Sequence, residues 1–373
     1  MSLSEDIKDY ALDIGYSKAG FTDYVQALKS RYDEYSFYIT RPTAPLKAAI
    51  PRDISPSVKS ILVLAYDYSK ESFPEQLIGK IGRAYQARCY RPAPNRIHGA
   101  RYQLMREFLM KNGINVDSEL KVPERLAASK AGVATYGKNS FAFLDGAGSF
   151  IIIDTLLVDV ELQYDEPTYE VRCPPKCTAC IKACPTSALH EPMKVDPRRC
   201  IAYNHWVTQT NNYYPGGVGG YIKPEIREKM GIWIHGCDIC QEVCPRNKAR
   251  LKTKLPPDQF LIKIAQEFEV VKLLHLSEEF YAKVVQPLMY NYIRHRKYFR
   301  RNAAIALGNM GDTTFVPDLD VAMQDSEGLV RGYAAWALGK IGGKKVRKVL
   351  ETGLSRETDE FAKNEIQSAL QSA

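Results

Sequence analysis

The sequence predicts a multidomain protein in which an α/β domain is followed by a ferredoxin-like domain and an all-α repeat domain. Three observations support this order. Strand-like apolar runs alternate with helical segments up to residue 165, cysteine, proline and glycine concentrate in residues 166–255, and a helical motif recurs after residue 256. We therefore place domains at residues 1–165, 166–255 and 256–373, which a chain of 373 residues can accommodate.

The first domain contains two short apolar runs, at residues 60–66 (SILVLAY) and 149–154 (SFIIID), which predict buried strands. Between them, residues 99–112 have helical periodicity and stop at Gly113, a residue that commonly follows a helix. Residues 123–132 begin with proline and end with glycine, as a second helix would. Strands and helices in alternation indicate an α/β fold.

The last domain repeats a helical segment. Residues 300–308 (RRNAAIALG) align with residues 331–339 (RGYAAWALG) at an offset of 31 residues. A period of this length is typical of a helical solenoid, in which each helix pair buries its apolar face against the next. The pattern resembles HEAT-type repeats, and we expect a third, degenerate copy at residues 361–370.

The composition argues against a secreted or membrane protein. The first ten residues, MSLSEDIKDY, are polar and acidic, unlike a signal peptide. The longest apolar stretch, residues 150–160, is interrupted by Asp154 and Asp159, so no segment is suited to span a bilayer. We therefore expect a cytoplasmic protein, in which clustered cysteines bind metals rather than form disulfides.

Eight of the nine cysteines fall into two spaced groups joined by Cys200. The first group reads C-x3-C-x2-C-x3-C-P from Cys173, and the second reads C-x2-C-x3-C-P from Cys237. Such spacing is typical of two 4Fe–4S clusters, in which the cysteine before each proline binds the other cluster. This rule predicts two ligand sets: Cys173, Cys177, Cys180 and Cys244 for cluster 1, and Cys184, Cys200, Cys237 and Cys240 for cluster 2.

One spacing departs from the ferredoxin pattern. Cys173 and Cys177 are separated by three residues, Pro-Pro-Lys, where two are usual. The alternative is structural zinc, which also binds paired cysteines. We favour clusters because zinc motifs rarely end twice in x3-C-P. Two clusters imply that the protein transfers electrons one at a time.

The positive charge is concentrated in the last third of the chain. The net charge is +8, and from Arg246 onward there are 21 Lys or Arg and 15 Asp or Glu. Basic clusters in one domain are expected where a polyanion binds. Two runs stand out: Arg294, Arg296, Lys297, Arg300 and Arg301 in the first, and Lys340, Lys344, Lys345, Arg347 and Lys348 in the second.

Four further features of the first domain are ambiguous by sequence alone. Residues 132–139 (GVATYGKN) approach a phosphate-binding loop, but Asn139 replaces the hydroxyl residue that would contact magnesium. Cys89 is either a small buried hydrophobe or a thiol activated by basic neighbours. His98 has no partner at ligand spacing, and Asp117 reads as an ordinary loop carboxylate.

The whole chain resembles the epoxyqueuosine reductase family. The matching segments occur in the family's order and cover nearly all of the chain: residues 116–118 (VDS), 124–132 (ERLAASKAG), 137–139 (GKN), 177–186 (CTACIKACPT), 198–201 (RRCI), 236–241 (GCDICQ), 244–245 (CP) and the C-terminal repeats. The core is also similar to reductive dehalogenases. Residues 85–102 depart from the family pattern, which leaves the contacts in that region unassigned.

The resemblance implies a cobalamin-dependent reduction in the anticodon loop of tRNA, the last step of queuosine synthesis. Asp117 matches the family's proton donor. Base-off cobalamin would lie between the first domain and the clusters, in the vicinity of the following residues: Tyr136, Lys138, Asn139, Cys89 and His98. The tRNA would contact basic residues of the repeats: Arg294, Arg296, Lys297, Arg300, Arg301, Arg331, Lys340, Lys344 and Lys345. We expect a monomer, whose external electron donor the sequence does not identify.

Three other classes remain as alternatives. A reductive dehalogenase would use the same core but needs no basic repeat domain. A non-catalytic electron-transfer protein would leave the α/β domain without a role. A binding module built on the repeats would not explain eight cysteines.

Overall fold

The computed structural model describes residues 2–23, 57–87, 97–117, 122–168, 171–206, 219–289 and 295–372.

The first domain has three layers built on an antiparallel sheet. Its strands are β1 (Lys18–Asp23), β2 (Ser60–Asp67), β3 (Val116–Asp117) and β6 (Ile151–Val158), in the order β1-β2-β6-β3, with a separate hairpin of β4 (Thr135–Tyr136) and β5 (Ala142–Phe143). Its helices are α1 (Leu3–Asp13), α2 (Arg83–Gln86), α3 (Ile97–Lys111) and α4 (Glu124–Lys130), with 3-10 turns at Tyr68–Lys70 and Glu75–Leu77.

The side chains of β2 point alternately to the two faces of the sheet, and helices cover both faces, which gives three layers. Ile61 and Val63 point to a core lined by α4, whereas Leu62 and Leu64 point to a second core lined by α1 and α3. Successive side chains of a strand face opposite sides of the sheet, so a strand buried on both faces is apolar throughout. This confirms the predicted α/β architecture.

The second predicted strand is longer than its apolar run. β6 begins at residue 151 and continues to Val158, because it pairs with β2 over eight residues. The apolar run predicts an end at Asp154, but this carboxylate is buried and accepts a hydrogen bond from the Tyr16 hydroxyl at 2.9 Å. An acidic group that accepts a buried hydrogen bond is tolerated inside a sheet, which the apolar pattern alone does not reveal.

The cysteine-rich segment has little regular structure. Its elements are α5 (Ala179–Ala183), the hairpin of β7 (Leu189–Glu191) and β8 (Lys194–Val195), α6 (Ile201–Trp206), α7 (Pro224–Arg227), α8 (Ile239–Glu242) and α9 (Lys248–Lys252), with 3-10 turns at Glu228–Met230 and Pro245–Asn247. Its apolar residues, including Ile201, Ile222 and Trp233, share one core with the helical repeats. The two segments are therefore packed together rather than separated by a linker.

The remainder of the described chain is helical. Its elements are α10 (Gln259–Glu267), α11 (Val270–Leu274), α12 (Glu278–Phe280), a π-helical turn (Tyr281–Val285), α13 (Gln286–Leu288), α14 (Arg296–Met310), a 3-10 turn (Thr313–Phe315), α15 (Val316–Ala322), α16 (Gly328–Ile341), α17 (Lys344–Arg356) and α18 (Glu360–Ser372). No helix in the described ranges is long and apolar enough to cross a membrane.

The three predicted repeat copies are α14, α16 and α18, which pack side by side. Small residues allow this close approach. A Cβ atom on Gly308 would lie 2.8 Å from the Cα of Ala337, and one on Gly339 would lie 2.8 Å from the Cβ of Ala369. Contacts below 3 Å require a shift of the backbone, so glycine is needed at both positions.

A buried ion pair joins the cysteine-rich segment to the last repeat. The guanidinium of Arg227 is fully buried and donates to both carboxylate oxygens of Glu365, at 2.6 and 2.7 Å. It also lies over the rings of Tyr333 and Trp336, 4.6 and 5.9 Å from their centroids. Bidentate geometry of this kind holds the two elements in one orientation.

Glu365→Gln is expected to destabilise the protein by about 3–5 kcal/mol, because it leaves the buried Arg227 charge without a counterion. Urea unfolding followed by tryptophan fluorescence would measure the change. The control is Glu228→Gln, which removes the exposed 2.9 Å pair with Lys340 and should cost about 0–1 kcal/mol. Equal destabilisation of both variants would contradict the structural role of the buried pair.

Candidate functional site: two cysteine groups at a domain junction

Eight cysteines converge where the cysteine-rich segment meets the α/β domain, and none of the eight forms a disulfide. Cys180 lies in α5 and Cys240 in α8, and these two short helices pack against each other. A Cys-Pro pair follows each helix within two residues, at Cys184 and Cys244. The two halves of the site are therefore arranged in the same way, as the repeated spacing predicts.

The thiols form two electrostatic groups that lie close to each other, since Cys180 of the first group also contributes to the raised pKa of Cys240 in the second. Burial raises the pKa of Cys180 to about 11, and the nearby thiols of Cys244 and Cys173 contribute to this shift. Cys177 lies in the turn that begins at Cys173, since its amide donates to the carbonyl of Pro174 at 2.9 Å. Cys244, from the second motif, is thus adjacent to the first.

The second group contains the deeper cysteines. Burial raises the pKa of Cys237, and the thiols of Cys200 and Cys184 add to that effect. Burial also raises the pKa of Cys240, with further contributions from Cys237 and Cys200. Cys184, from the first motif, is therefore close to cysteines of the second. This proximity agrees with the exchange of the Cys-Pro cysteines that the spacing predicts, and the two ligand sets stay a prediction.

The buried thiols of the two groups are suited to bind metal as thiolates. Thiols with raised pKa values do not ionise near neutral pH unless a bound metal stabilises the thiolates. Among the described residues, no three Cys, His, Asp or Glu side chains are close enough to hold one ion. A tetrahedral zinc site requires four such ligands around a single centre, whereas a cluster spreads its ligands over four irons.

A polar network ties the second cysteine motif to the α/β domain. The carboxylate of Asp238 accepts hydrogen bonds from the backbone and side chain of Arg83, at 2.8 and 3.1 Å. The amide of Asn247 donates to the hydroxyl of Ser149 at 2.8 Å, and that hydroxyl donates to Gln241 at 2.9 Å. The sequence does not predict this network. Asp238 and Gln241 lie in a segment that matches the family, but no pattern marks Arg83, Ser149 or Asn247.

The loop that resembles a phosphate-binding sequence has another role. It forms the β4–β5 hairpin, whereas a phosphate-binding loop connects a strand to a helix. Tyr136 and Asn139 are buried, and the Asn139 amide donates to the carbonyl of Cys240 at 3.4 Å. Lys138 donates to three carbonyls of the Cys173–Cys177 turn. The three residues therefore lie at the junction between the first domain and the cysteine groups.

Asp117 is the last residue of β3, the edge strand of the sheet. It pairs with Leu157 of β6 and is half-buried. Residues 118–121, which follow it, lie outside the described residues, as do Cys89 and Arg294. His98 lies in α3, but its side chain is not described.

The prediction that Arg301 contacts RNA is wrong. Its side chain is fully buried, and its guanidinium donates to the carbonyls of Gly220, Asn204 and His205, at 2.6, 3.0 and 2.9 Å. Burial lowers its pKa to about 10. Because the donors are used inside the protein, Arg301 joins the first repeat to the cysteine-rich segment and cannot reach a phosphate.

Most of the other predicted RNA contacts are paired with acidic side chains of the same domain or its neighbour. The pairs are Arg296–Glu278, Lys297–Glu327, Arg300–Asp325, Arg331–Glu357 and Lys340–Glu228. Lys344 and Lys345 differ, because both are exposed in the first turn of α17. Cations at this end of a helix are unfavourable by roughly 0.3–1 kcal/mol each, and a bound anion would relieve this.

Comparisons with known proteins agree with this geometry. Residues 172–247 match the 4Fe-4S double cluster binding domain family, and residues 287–371 match HEAT repeats. The chain is 30% identical over 390 residues to the epoxyqueuosine reductase of Bacillus subtilis, covering 99% of this chain and 95% of that protein. It is 29% identical to the Escherichia coli epoxyqueuosine reductase over 360 residues, covering 91% and 89%.

Solved structures are similar over the same length. The B. subtilis epoxyqueuosine reductase, described with its catalytic aspartate loop swung out of the active site, superposes with a TM-score of 0.79 at 29% identity, covering 99% of this chain and 98% of that one. An epoxyqueuosine reductase bound to an epoxyqueuosine-modified tRNA-Tyr stem loop superposes with a TM-score of 0.77 at 27% identity, with the same coverage. From its sequence, its cysteine arrangement and its full-length similarity, the chain belongs to the epoxyqueuosine reductase family.

Proposed function

We propose that this chain reduces epoxyqueuosine to queuosine in the anticodon loop of a tRNA, acting as a cytoplasmic monomer. The observation that carries the proposal is the pairing of two cysteine groups with an α/β domain and HEAT repeats in a chain of this family. A relative bound to a modified tRNA stem loop supports the substrate class.

The proposed ligands follow the two thiol groups. Cluster 1 is held by Cys173, Cys177, Cys180 and Cys244, and cluster 2 by Cys184, Cys200, Cys237 and Cys240. The proximity of Cys244 to Cys180, and of Cys184 to Cys237, supports these sets.

Base-off cobalamin is the proposed second cofactor, at the junction of the α/β domain and the cysteine groups. The two histidines closest in sequence to the cysteines are fully buried. His205 contacts the carbonyl of Trp233 at 2.9 Å, and His235 lies between the rings of Tyr85 and Phe299. This fits a corrin that takes no imidazole from these positions.

The proposed reaction converts an epoxide into an alkene and water, which consumes two electrons and two protons. The clusters supply electrons one at a time, and cobalamin, when bound, supplies a metal centre that can collect two of them. Asp117 is the proposed acid, which gives a proton to the departing epoxide oxygen. Asp117 is the last residue of β3, which pairs with β6 at the edge of the sheet, so it lies at the end of a rigid element.

Nucleoside mass spectrometry on tRNA carrying epoxyqueuosine tests the function. The reconstituted protein would be incubated anaerobically with a strong reductant, with and without cobalamin. We expect queuosine only when cobalamin is present. If the protein binds both clusters and cobalamin but leaves the nucleoside unchanged, the substrate assignment is wrong, and small organohalides are the next class to test.

The double variant Lys344→Gln/Lys345→Gln is expected to weaken tRNA binding. For every lysine that no longer neutralises a phosphate, the slope of log affinity against log salt should become shallower by about 1. Titration of labelled tRNA at several salt concentrations would measure this. The control, Lys283→Gln, removes an exposed lysine that already pairs with Glu279, and should leave the slope unchanged. An unchanged slope in the double variant would exclude these lysines from the RNA interface.

A further inference from the structure

The ammonium of Lys138 lies inside the turn that carries the first two cysteines. It donates to the carbonyls of Pro174, Pro175 and Cys177, at 3.1, 2.7 and 3.0 Å. A lysine ammonium has three N–H donors, and all three are used here. The backbone amide of the same residue lies 3.4 Å from the sulfur of Cys173 and donates to it. One residue of the β4–β5 hairpin therefore holds both ends of the turn.

These interactions coincide with the one place where the cysteine spacing is unusual. The turn contains one residue more than the ferredoxin pattern, and two of its three spacer residues are prolines. Proline has no amide hydrogen, so the three spacer residues supply only the Lys176 amide as a backbone donor. Within the turn, the carbonyl of Pro174 also accepts a hydrogen bond from the Cys177 amide at 2.9 Å. Three carbonyl dipoles that point to one spot repel each other unless a cation lies between them. Lys138 supplies that cation.

The same charge lies beside the cluster that Cys173 and Cys177 are proposed to bind. Reduction adds a negative charge to a cluster, so a nearby cation and an N–H···S hydrogen bond both stabilise the reduced state. The lysine is half-buried, which limits screening of its charge by solvent. Its effect on the reduction potential should therefore exceed that of lysines on the open surface.

We propose that Lys138 is a positioning residue that closes the enlarged Cys173–Cys177 turn over cluster 1 and raises the reduction potential of that cluster. This deepens the proposed function and rests on its ligand assignment for cluster 1. It does not depend on the tRNA substrate or on cobalamin. The lysine of the sequence that resembles a phosphate-binding loop thereby has a role that involves no nucleotide.

The test is an anaerobic redox titration of the cluster-loaded protein, followed by electron paramagnetic resonance, without tRNA or cobalamin. Lys138→Met removes the charge and all three side-chain hydrogen bonds, and Lys138→Arg keeps the charge. The matched control is Lys176→Met, since Lys176 lies in the same turn but is exposed. Cys177→Ser identifies which signal belongs to cluster 1. Iron and sulfide would be measured in every variant.

We expect Lys138→Met to shift the potential of cluster 1 to a more negative value, or to remove about half of the iron and sulfide, while cluster 2 is unchanged. Lys138→Arg should keep the potential nearer to that of the original protein, and Lys176→Met should match it. Wild-type potentials and iron content in Lys138→Met would overturn the proposal. Equal depletion of both clusters would also overturn it, because Lys138 would then support the whole domain. A failed reductase assay leaves these readouts unaffected, so the two proposals can fail separately.

Discussion

Asp117→Asn is expected to abolish the reduction of epoxyqueuosine while leaving clusters and cobalamin bound. Asparagine has the same shape and can donate a hydrogen bond, but it cannot give up a proton. Removal of a general acid typically costs about 10²- to 10⁴-fold in rate, or roughly 3–5 kcal/mol of transition-state stabilisation. Single-turnover conversion measured by nucleoside mass spectrometry, with iron content and the cobalamin absorption spectrum recorded on the same sample, would separate catalysis from cofactor binding.

The matched control is Asp159→Asn at the same edge of the sheet. The carboxylate of Asp159 accepts hydrogen bonds from the backbone and side chain of Asn115, at 2.9 and 2.6 Å, and asparagine can keep the first of them. We expect this variant to retain turnover. Full activity in Asp117→Asn would remove the residue from the role of acid, and equal impairment of both variants would indicate damage to the edge strand instead.

Single cysteine variants are expected to remove one whole cluster each, and the pairs that behave alike will reveal the ligand sets. Because the Cys-Pro cysteines are exchanged, Cys244→Ser should remove the same signal as Cys177→Ser, although the two residues belong to different motifs. Cys184→Ser should instead remove the same signal as Cys237→Ser. Each variant should lack about half of the iron and all turnover, since the path of electrons is broken.

Electron paramagnetic resonance of the reduced variants, together with iron and sulfide analysis, would measure this. The four variants serve as controls for one another, since each replaces one sulfur atom with oxygen. If Cys184→Ser removed the same signal as Cys177→Ser, each motif would bind its own cluster. The proximity of Cys184 to Cys237 would then have no role in binding.

The local parts of the fold were predictable from sequence because their signals are local. The run at residues 60–66 corresponds to β2, and the helix expected at residues 99–112 corresponds to α3. The aligned segments at residues 300–308 and 331–339 lie in α14 and α16, and the third copy corresponds to α18. By contrast, β1 was not predicted, and the extent of β6 was underestimated, because strand pairing depends on a partner that is distant in sequence.

In the candidate site, too, local motifs were predictable from the sequence and contacts between distant residues were not. Cysteine spacing was sufficient to predict a segment that binds two clusters, since ligands of one cluster must come from short, tightly turned segments. The exchange of ligands between the motifs stays a prediction. Charge clustering was a weaker guide. It selected Arg301, which is buried, together with Arg296, Lys297, Arg300 and Lys340, which pair with acidic neighbours. A run of charges in a sequence does not show which of them face solvent.

By itself, the sequence determined the double-cluster segment, the helical repeats that follow it and the family, and it predicted the eight cysteine ligands. Only the tertiary structure decided how these parts are joined. It assigned Lys138 to three carbonyls of a cysteine turn, Arg227 to Glu365, and Arg83 to Asp238. These interactions join residues 36 to 155 positions apart. No periodicity or motif in the sequence predicts these pairs. A buried polar group must form hydrogen bonds, and the tertiary fold decides which residue is close enough to be its partner.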